Sequence, residues 1–216
     1  MPRKRRLTRD ESRAETRQRL MESAERVFAE KGFYGASVEE ISERAGYSRG
    51  AFYSNFEDKD ELFLALFDER TDAQIAEVSE LLAANPDPAD FIAALRDRSV
   101  GRASQRTWIM LADEFWLYAM RNPKVRPKLA ARERSERDAY QRAVVALHEA
   151  MGVAPPAPPE LLALIVQALD AGFAWQQYLD PETITEDTFL DALALLTSAS
   201  VALAEKSQLD NTARRA

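Results

Sequence analysis

Ser37-Val38-Glu39-Glu40-Ile41-Ser42-Glu43-Arg44-Ala45-Gly46-Tyr47-Ser48-Arg49-Gly50-Ala51-Phe52-Tyr53-Ser54-Asn55-Phe56-Glu57-Asp58-Lys59-Asp60-Glu61-Leu62 is the stretch on which the reading of this chain turns. Ser37 followed three residues later by Glu40 is a capping-box pattern, and Val38, Ile41 and Ala45 make one buried face of a short helix. Gly46 supplies the left-handed residue that ends it. Ser48 then caps a third helix that turns Phe52 and Phe56 inward, and Asp58 with Glu61 opens a fourth. Two short helices joined by a turn with glycine have the size and shape of a helix-turn-helix.

The outward positions of the second of these helices carry no acid between Tyr47 and Asn55, in a chain where one residue in six is Asp or Glu. An acid there would be repelled by phosphate. Gly50 and Ala51 leave the backbone open to a major groove, Arg49 suits a guanine edge, and Tyr53, Asn55 and Lys59 suit phosphates. The N-termini of the second and fourth helices add N–H donors for phosphate. The expected DNA-facing set is Arg13, Arg17, Ser37, Tyr47, Ser48, Arg49, Gly50, Ala51, Tyr53, Asn55 and Lys59.

The run from Ser37 to Leu62, with Phe33 and Gly35 before it, resembles the DNA-binding signature of TetR-family regulators. The matching positions include Ile41, Ala45, Gly46, Gly50, Phe52, Tyr53, Phe56, Lys59 and Leu62, and the likeness covers residues 14–63. Asn55 stands where the family often has His or Tyr. The resemblance implies a nine-helix fold, a homodimer, a palindromic operator and release from DNA when a ligand binds the C-terminal domain. It implies nothing about which ligand.

Outward from this stretch the chain reads as all-α. The first helix is expected over about 10–31, where Leu20, Ala24, Val27 and Phe28 form one stripe and Gly32 is the stop. Prolines fall in groups at Pro86/Pro88, Pro123/Pro127, Pro155 to Pro159 and Pro181, which read as joints between helices. Helices are expected at about 88–100, 104–121, 124–151, 159–179 and 186–205, after a long one ending near Ala84. The expected organisation is a basic flexible arm over 1–12, a helix-turn-helix domain over 13–59, a larger C-terminal ligand-binding and dimerisation domain over 60–206, and a tail over 207–216.

Charge follows this organisation. Residues 1–19 hold eight Lys/Arg against three Asp/Glu, although the whole chain is −7. A basic arm ahead of an acidic body suits local contact with phosphate and repulsion of it elsewhere. The chain has no cysteine, which removes disulfides, thiol nucleophiles and Cys-ligated zinc. The sequence reads as having no apolar run near 18 residues, so no membrane span is expected, and the cytoplasm is the expected location. His148 is the single histidine, with no ExxH pair, so neither a metal nor a cofactor is expected. No P-loop, GxGxxG or nucleophile elbow is present, and an enzyme is not expected.

In the body, residues 107–120 are apolar on nearly every side, which suits a pocket wall. Trp108, Leu111, Glu114, Phe115, Tyr118, His148 and Phe173 are the expected contacts to a small-molecule effector of unknown identity. Asp113 and Glu114 lie within this apolar run. They either pair with Arg96, Arg98, Arg102 or Arg106, or recognise a cationic ligand. Leu161, Ile165, Ala168 and Gly172 in the eighth helix, with Leu193 and Leu196 in the ninth, are expected to form a two-fold dimer interface. The competing reading is a DNA-bound adaptor that recruits a protein partner and needs no pocket.

Overall fold

A computed structural model describes residues 8–98 and 102–213, with the side chains of 102–107, 186, 205 and 207–213 outside that description. Residues 1–7 of the expected arm and the end of the expected tail therefore lie outside the described residues, as do the side chains of Arg102 and Arg106. Among the described residues there are nine helices and no strand, so the protein is all-α. They are α1 (Arg9–Gly35), α2 (Val38–Ala45), α3 (Arg49–Tyr53), α4 (Lys59–Ala84), α5 (Pro88–Asp97), α6 (Arg102–Arg121), α7 (Arg126–Ala150), α8 (Pro159–Leu179) and α9 (Glu186–Ala213).

Two ends differ from the sequence expectation, each for a local reason. The Thr8 hydroxyl accepts from the backbone N–H of Glu11 at 3.2 Å, and the Glu11 carboxylate accepts from the backbone N–H of Thr8 at 2.7 Å. This capping box starts α1 at Arg9, so Arg9–Ser12 are helix and not arm. At the other end, α9 continues past residue 206 to Ala213, because residues 205–213 contain neither glycine nor proline. The stop expected at Gly32 is real: its φ of 70° breaks α1, and one further turn carries the chain to Gly35.

The chain forms two compact units. The first comprises the chain up to Arg70 together with Thr107–Leu129. Its core joins Leu20, Val27 and Phe28 of α1 to Ile41, Phe52, Phe56 and Phe63, all nearly solvent-free. Phe115 of α6 stacks on Phe63 with centroids 4.1 Å apart, and Phe33 meets Phe115 edge-on at 5.0 Å. Each such ring contributes about 1.5–3 kcal/mol by leaving water. The division placed at residue 59 is therefore not where the packing divides, since α6 and the start of α4 complete this core.

The second unit comprises Thr71–Arg106 and Ala130–Ala216. Arg96 of α5 bridges Asp187 and Asp191 of α9 at 2.8 and 2.7 Å. Phe173 of α8 packs on Phe189 of α9, with centroids 6.3 Å apart. Within α9, Asp187–Ala204 is long and apolar enough to cross a membrane by length and composition alone, which corrects the expectation of no such run. Little of that stretch is buried within the protomer.

Candidate functional site

The helix-turn-helix is locally over-determined. The Ser37 hydroxyl accepts from the N–H of Glu40, and Ser48 from that of Ala51, so both short helices are capped by their own side chains. Gly46 takes φ 79°, and the N–H groups of Gly46 and Tyr47 close onto the carbonyls of Glu43 and Ser42. The buried Ser23 hydroxyl donates to the Ile41 carbonyl at 2.8 Å and locks α2 to α1. α3 is thereby held with Ser48, Arg49, Gly50, Tyr53 and Ser54 exposed, and Ala51 half-buried beside them. A Cβ added at Gly50 would meet only the Ser48 hydroxyl, at 3.6 Å. Among the described residues nothing requires glycine there, which leaves that surface open to what approaches from outside.

The expected DNA-facing residues divide into two groups. Ser37, Ser48, Arg49, Gly50, Ala51 and Tyr53 share the open face or its margin, and Tyr47 is half-buried against the core. Arg49 pairs with Glu39 of α2, and its guanidinium lies 5.7 Å from the centre of the Tyr53 ring. The Tyr53 hydroxyl and the Glu39 carboxylate hold the arginine's pKa above its ordinary value. The other group is engaged within the protein. Arg13 donates to the Ser54 carbonyl at 3.3 Å, and Arg17 to the Asn55 carbonyl at 2.9 Å, so both cap the end of α3. Arg17 also covers the Phe56 ring. The Asn55 amide donates to the Ala51 carbonyl.

Lys59 requires a correction. Its ammonium donates to the carbonyls of Phe33 at 2.6 Å and Ala36 at 2.8 Å, and lies 4.5 Å from the Phe33 ring. Those carbonyls follow the break at Gly32 and have lost the donors a continuing helix would supply. Burial holds the lysine's pKa below its ordinary value. Lys59 ties α4 to the end of α1, and in this state it is not free to meet phosphate.

Glu114 also departs from the expectation. Its carboxylate accepts from the backbone N–H of Phe33 at 2.7 Å, and a Cβ at Gly32 would come within 2.6 Å of it. Among the described residues its partner is therefore this backbone N–H and not Arg96 or Arg98. Arg96 instead binds the two aspartates of α9, and Arg98 pairs with Glu77. Trp108, Leu111, Phe115 and Tyr118 are packed in or against the first unit's core, and the Tyr118 hydroxyl donates to Asp60 at 2.9 Å. His148 is buried between the Val144 carbonyl and the Ser200 hydroxyl, at 2.8 and 2.7 Å.

The cavity of the second unit lies elsewhere. A space of about 420 Å³ opens between α4 and α7. That is within the range of roughly 300–1,000 Å³ usual for small-molecule sites. Ile75, Val78 and Leu82 of α4 face Ala139, Ala143 and Ala146 of α7 across it. At these facing positions α4 presents branched chains and α7 only alanine methyl groups, which leaves volume unfilled. The polar groups on its wall are Thr71, Gln74, Ser79, Glu136, Tyr140 and Arg142. None of the seven residues expected as effector contacts lines this cavity. The spacing Ala139, Ala143, Ala146, Ala150 was a usable signal, because it marks one helix face without bulk.

Behind the wall lies a carboxylate cluster. The Tyr140 hydroxyl donates to Asp170 at 2.9 Å, and the Gln167 amide donates to Glu133 and Glu136, each at 3.2 Å. The Arg137 Nε–H donates to the side-chain oxygen of Gln167 at 3.0 Å. Burial, reinforced by Glu133 and Asp170, pushes the Glu136 carboxyl up to about 7. Burial likewise raises Asp170.

On α8, Leu161, Ile165, Ala168 and Trp175 are exposed and follow one another at helical spacing, with Gly172 open between them. On α9, Leu193 and Leu196 are half-buried, whereas Leu195 is 72% and Leu203 57% exposed. The outward face of α9 is thus displaced from the one read in the sequence.

Two family models match this chain: "Bacterial regulatory proteins, tetR family" over residues 20–66, and "BetI-type transcriptional repressor, C-terminal" over residues 92–199. The chain is 34% identical over 123 residues to the HTH-type transcriptional repressor AcnR of Corynebacterium diphtheriae, covering 57% of this chain and 60% of that protein. It is 46% identical over 65 residues to AcnR of Corynebacterium efficiens, covering 30% of this chain and 35% of that one. The matches thus span less than two thirds of these relatives. A transcriptional regulator from Rhodococcus sp. Rha1 superposes with a TM-score of 0.67 at 26% identity, over 86% of this chain and 96% of that one.

Proposed function

This chain belongs to the TetR family of bacterial regulatory proteins, and we propose that it is a cytoplasmic repressor that binds a palindromic operator as a homodimer and leaves it when a small apolar or amphipathic molecule enters the α4–α7 cavity. The observation that carries the DNA-binding part is the exposed face of α3. It offers Ser48, Arg49 and Tyr53 around a glycine where a Cβ would meet only the Ser48 hydroxyl among the described residues. Arg49 reads a base edge once it leaves Glu39, and Arg13 and Arg17 hold α3 in the pose that allows this. The N-cap of α2 at Ser37 presents N–H donors to a phosphate.

Dimerisation is supported by the apolar stripe of α8 and by Leu195 and Leu203 of α9, which the protomer leaves uncovered. A charge in the middle of that stripe, Ile165→Glu, is expected to give monomers in light scattering and to abolish operator binding together. The cavity supports effector binding and weighs against the adaptor reading. α4 is one continuous helix carrying Lys59 at its start and the cavity residues Thr71–Ala83 further on.

The test is binding of the purified chain to its own upstream DNA and to scrambled DNA at two salt concentrations. Tight, sequence-selective, salt-dependent binding by a dimer is expected. Equal, weak binding to both DNAs would remove the operator reading.

A further inference from the structure

The α4–α7 cavity has an apolar wall on one side and a carboxyl group on the other, and the surroundings of that carboxyl restrict what can occupy it. We infer that the cavity takes an organic monocation with an apolar body, its charge held by Glu136 and its body by Ile75, Val78 and Leu82, and that binding displaces a proton from Glu136 to solvent. The inference rests on reading this cavity as the effector site and adds the chemical class of the effector.

The charged and titratable groups around Glu136 come from two helices. α7 contributes Glu133, Arg137, Tyr140 and Arg142, and α8 contributes Asp170, with Gln167 between the carboxylates. The residues of α4 that line the cavity are uncharged. Of these two arginines, Arg137 is turned to the side-chain oxygen of Gln167, and Arg142 is exposed at the wall, where water already solvates it. Among the described residues, the Gln167 amide is what lowers the Glu136 carboxyl, against burial and the neighbouring Glu133 and Asp170 carboxylates. A carboxyl so placed becomes neutral by keeping its proton.

A weakly hydrated organic cation does the same work as that proton and also fills the space that Ala139, Ala143 and Ala146 leave open. Tyr140 adds an aromatic ring to the same wall, and rings attract such cations. An anion would meet the field of three carboxyl groups. A neutral molecule would gain only the apolar contact.

The experiment is calorimetric titration of the full chain with benzyltriethylammonium, a permanent cation, beside benzyl tert-butyl ether and 4-phenylbutyrate. With Glu136 near 7 in the free protein, the ionised fraction rises about tenfold from pH 6 to pH 8. The cation is therefore expected to bind about tenfold more tightly at pH 8 than at pH 6. At pH 7 about half a proton is released per cation bound, read from two buffers of different ionisation enthalpy. Glu136→Gln keeps the shape and the amide contact; it is expected to abolish the pH dependence and most of the cation's advantage over the ether. Asp170→Asn is expected to keep cation binding and move the pH midpoint down.

Equal affinity at pH 6 and 8, undiminished cation binding by Glu136→Gln, or tightest binding of phenylbutyrate would each overturn the inference. Filling the cavity with Ala143→Phe separates the two levels. If the ether or the anion binds and Ala143→Phe blocks it, the cavity remains the effector site and only the cation is refuted. If no probe binds in a way that Ala143→Phe alters, both readings fall.

Discussion

Replacing Lys59 by methionine separates a phosphate contact from a structural tie. Methionine keeps the apolar stem and removes only the ammonium. Two carbonyls, those of Phe33 and Ala36, then lose donors at 2.6 and 2.8 Å in a region where both residues are almost wholly buried. Hydrogen bonds from a charged donor contribute about 1.5–3 kcal/mol each. Part of that is offset by the cost of burying the ammonium, the same cost that holds its pKa down. The net loss is expected to be about 2–3 kcal/mol, or about 5–10 °C in Tm for a chain of this size. The assay is a thermal melt by circular dichroism, paired with DNA-binding anisotropy across a salt series. A residue whose only role was to neutralise one phosphate would leave the melt unchanged and reduce the salt slope by about 0.9. A melt within a degree or two of the native protein, together with a shallower salt slope, would refute the structural assignment.

Three further outcomes are expected. Arg49→Ala should weaken specific binding by about 1–3 kcal/mol and random-DNA binding far less, whereas Glu39→Gln, which frees the same guanidinium, should tighten both; equal losses on specific and random DNA for Arg49→Ala would remove it as a base reader. Gly32→Ala forces a side chain onto a φ of 70° and into the Glu114 carboxylate, and should cost about 2–4 kcal/mol in urea denaturation. Glu114→Ala should make that substitution less costly, and strict additivity of the two would contradict the contact. Glu136 has a folded pKa of about 7 against an ordinary 4.5, so the folded chain holds a proton that the unfolded chain has released between those values. Its contribution is fully present below the lower value and is lost as pH rises through the higher one. Glu136→Gln should therefore flatten a fall of about 1–2 kcal/mol between pH 5 and 8, allowing for solvent screening; an unchanged pH profile would remove the raised carboxyl.

What could be read from the sequence was local and periodic. Ser37 with Glu40, Gly46, and Ser48 ahead of Phe52 and Phe56 specify caps, a turn and an inward face within a few residues of one another, and the structure has all of them where the spacing puts them. The helix order and the proline joints were legible for the same reason. Thr8 and Glu11 make the same kind of box at the start of α1, a signal equally local.

The errors concern partners far apart along the chain. Lys59 is exposed in any reading of its own helix, and only the arrival of the frayed carbonyls of Phe33 and Ala36 commits it. Glu114 in an apolar run suggested a ligand or an arginine, yet its partner is a backbone N–H left over by a glycine 82 positions earlier. The aromatic run of α6 identifies a buried helix without saying which core it enters, and it completes the first unit. On α9 the apolar residues cover more than one face, so periodicity alone did not distinguish the half-buried Leu193 and Leu196 from the exposed Leu195 and Leu203. The sequence determined the helices, their caps and the face offered by α3, because those depend on contacts within about four residues. The tertiary structure decided the cavity and the commitments of Lys59, Glu114 and Glu136, because unfilled volume and desolvation exist only once distant helices are brought together.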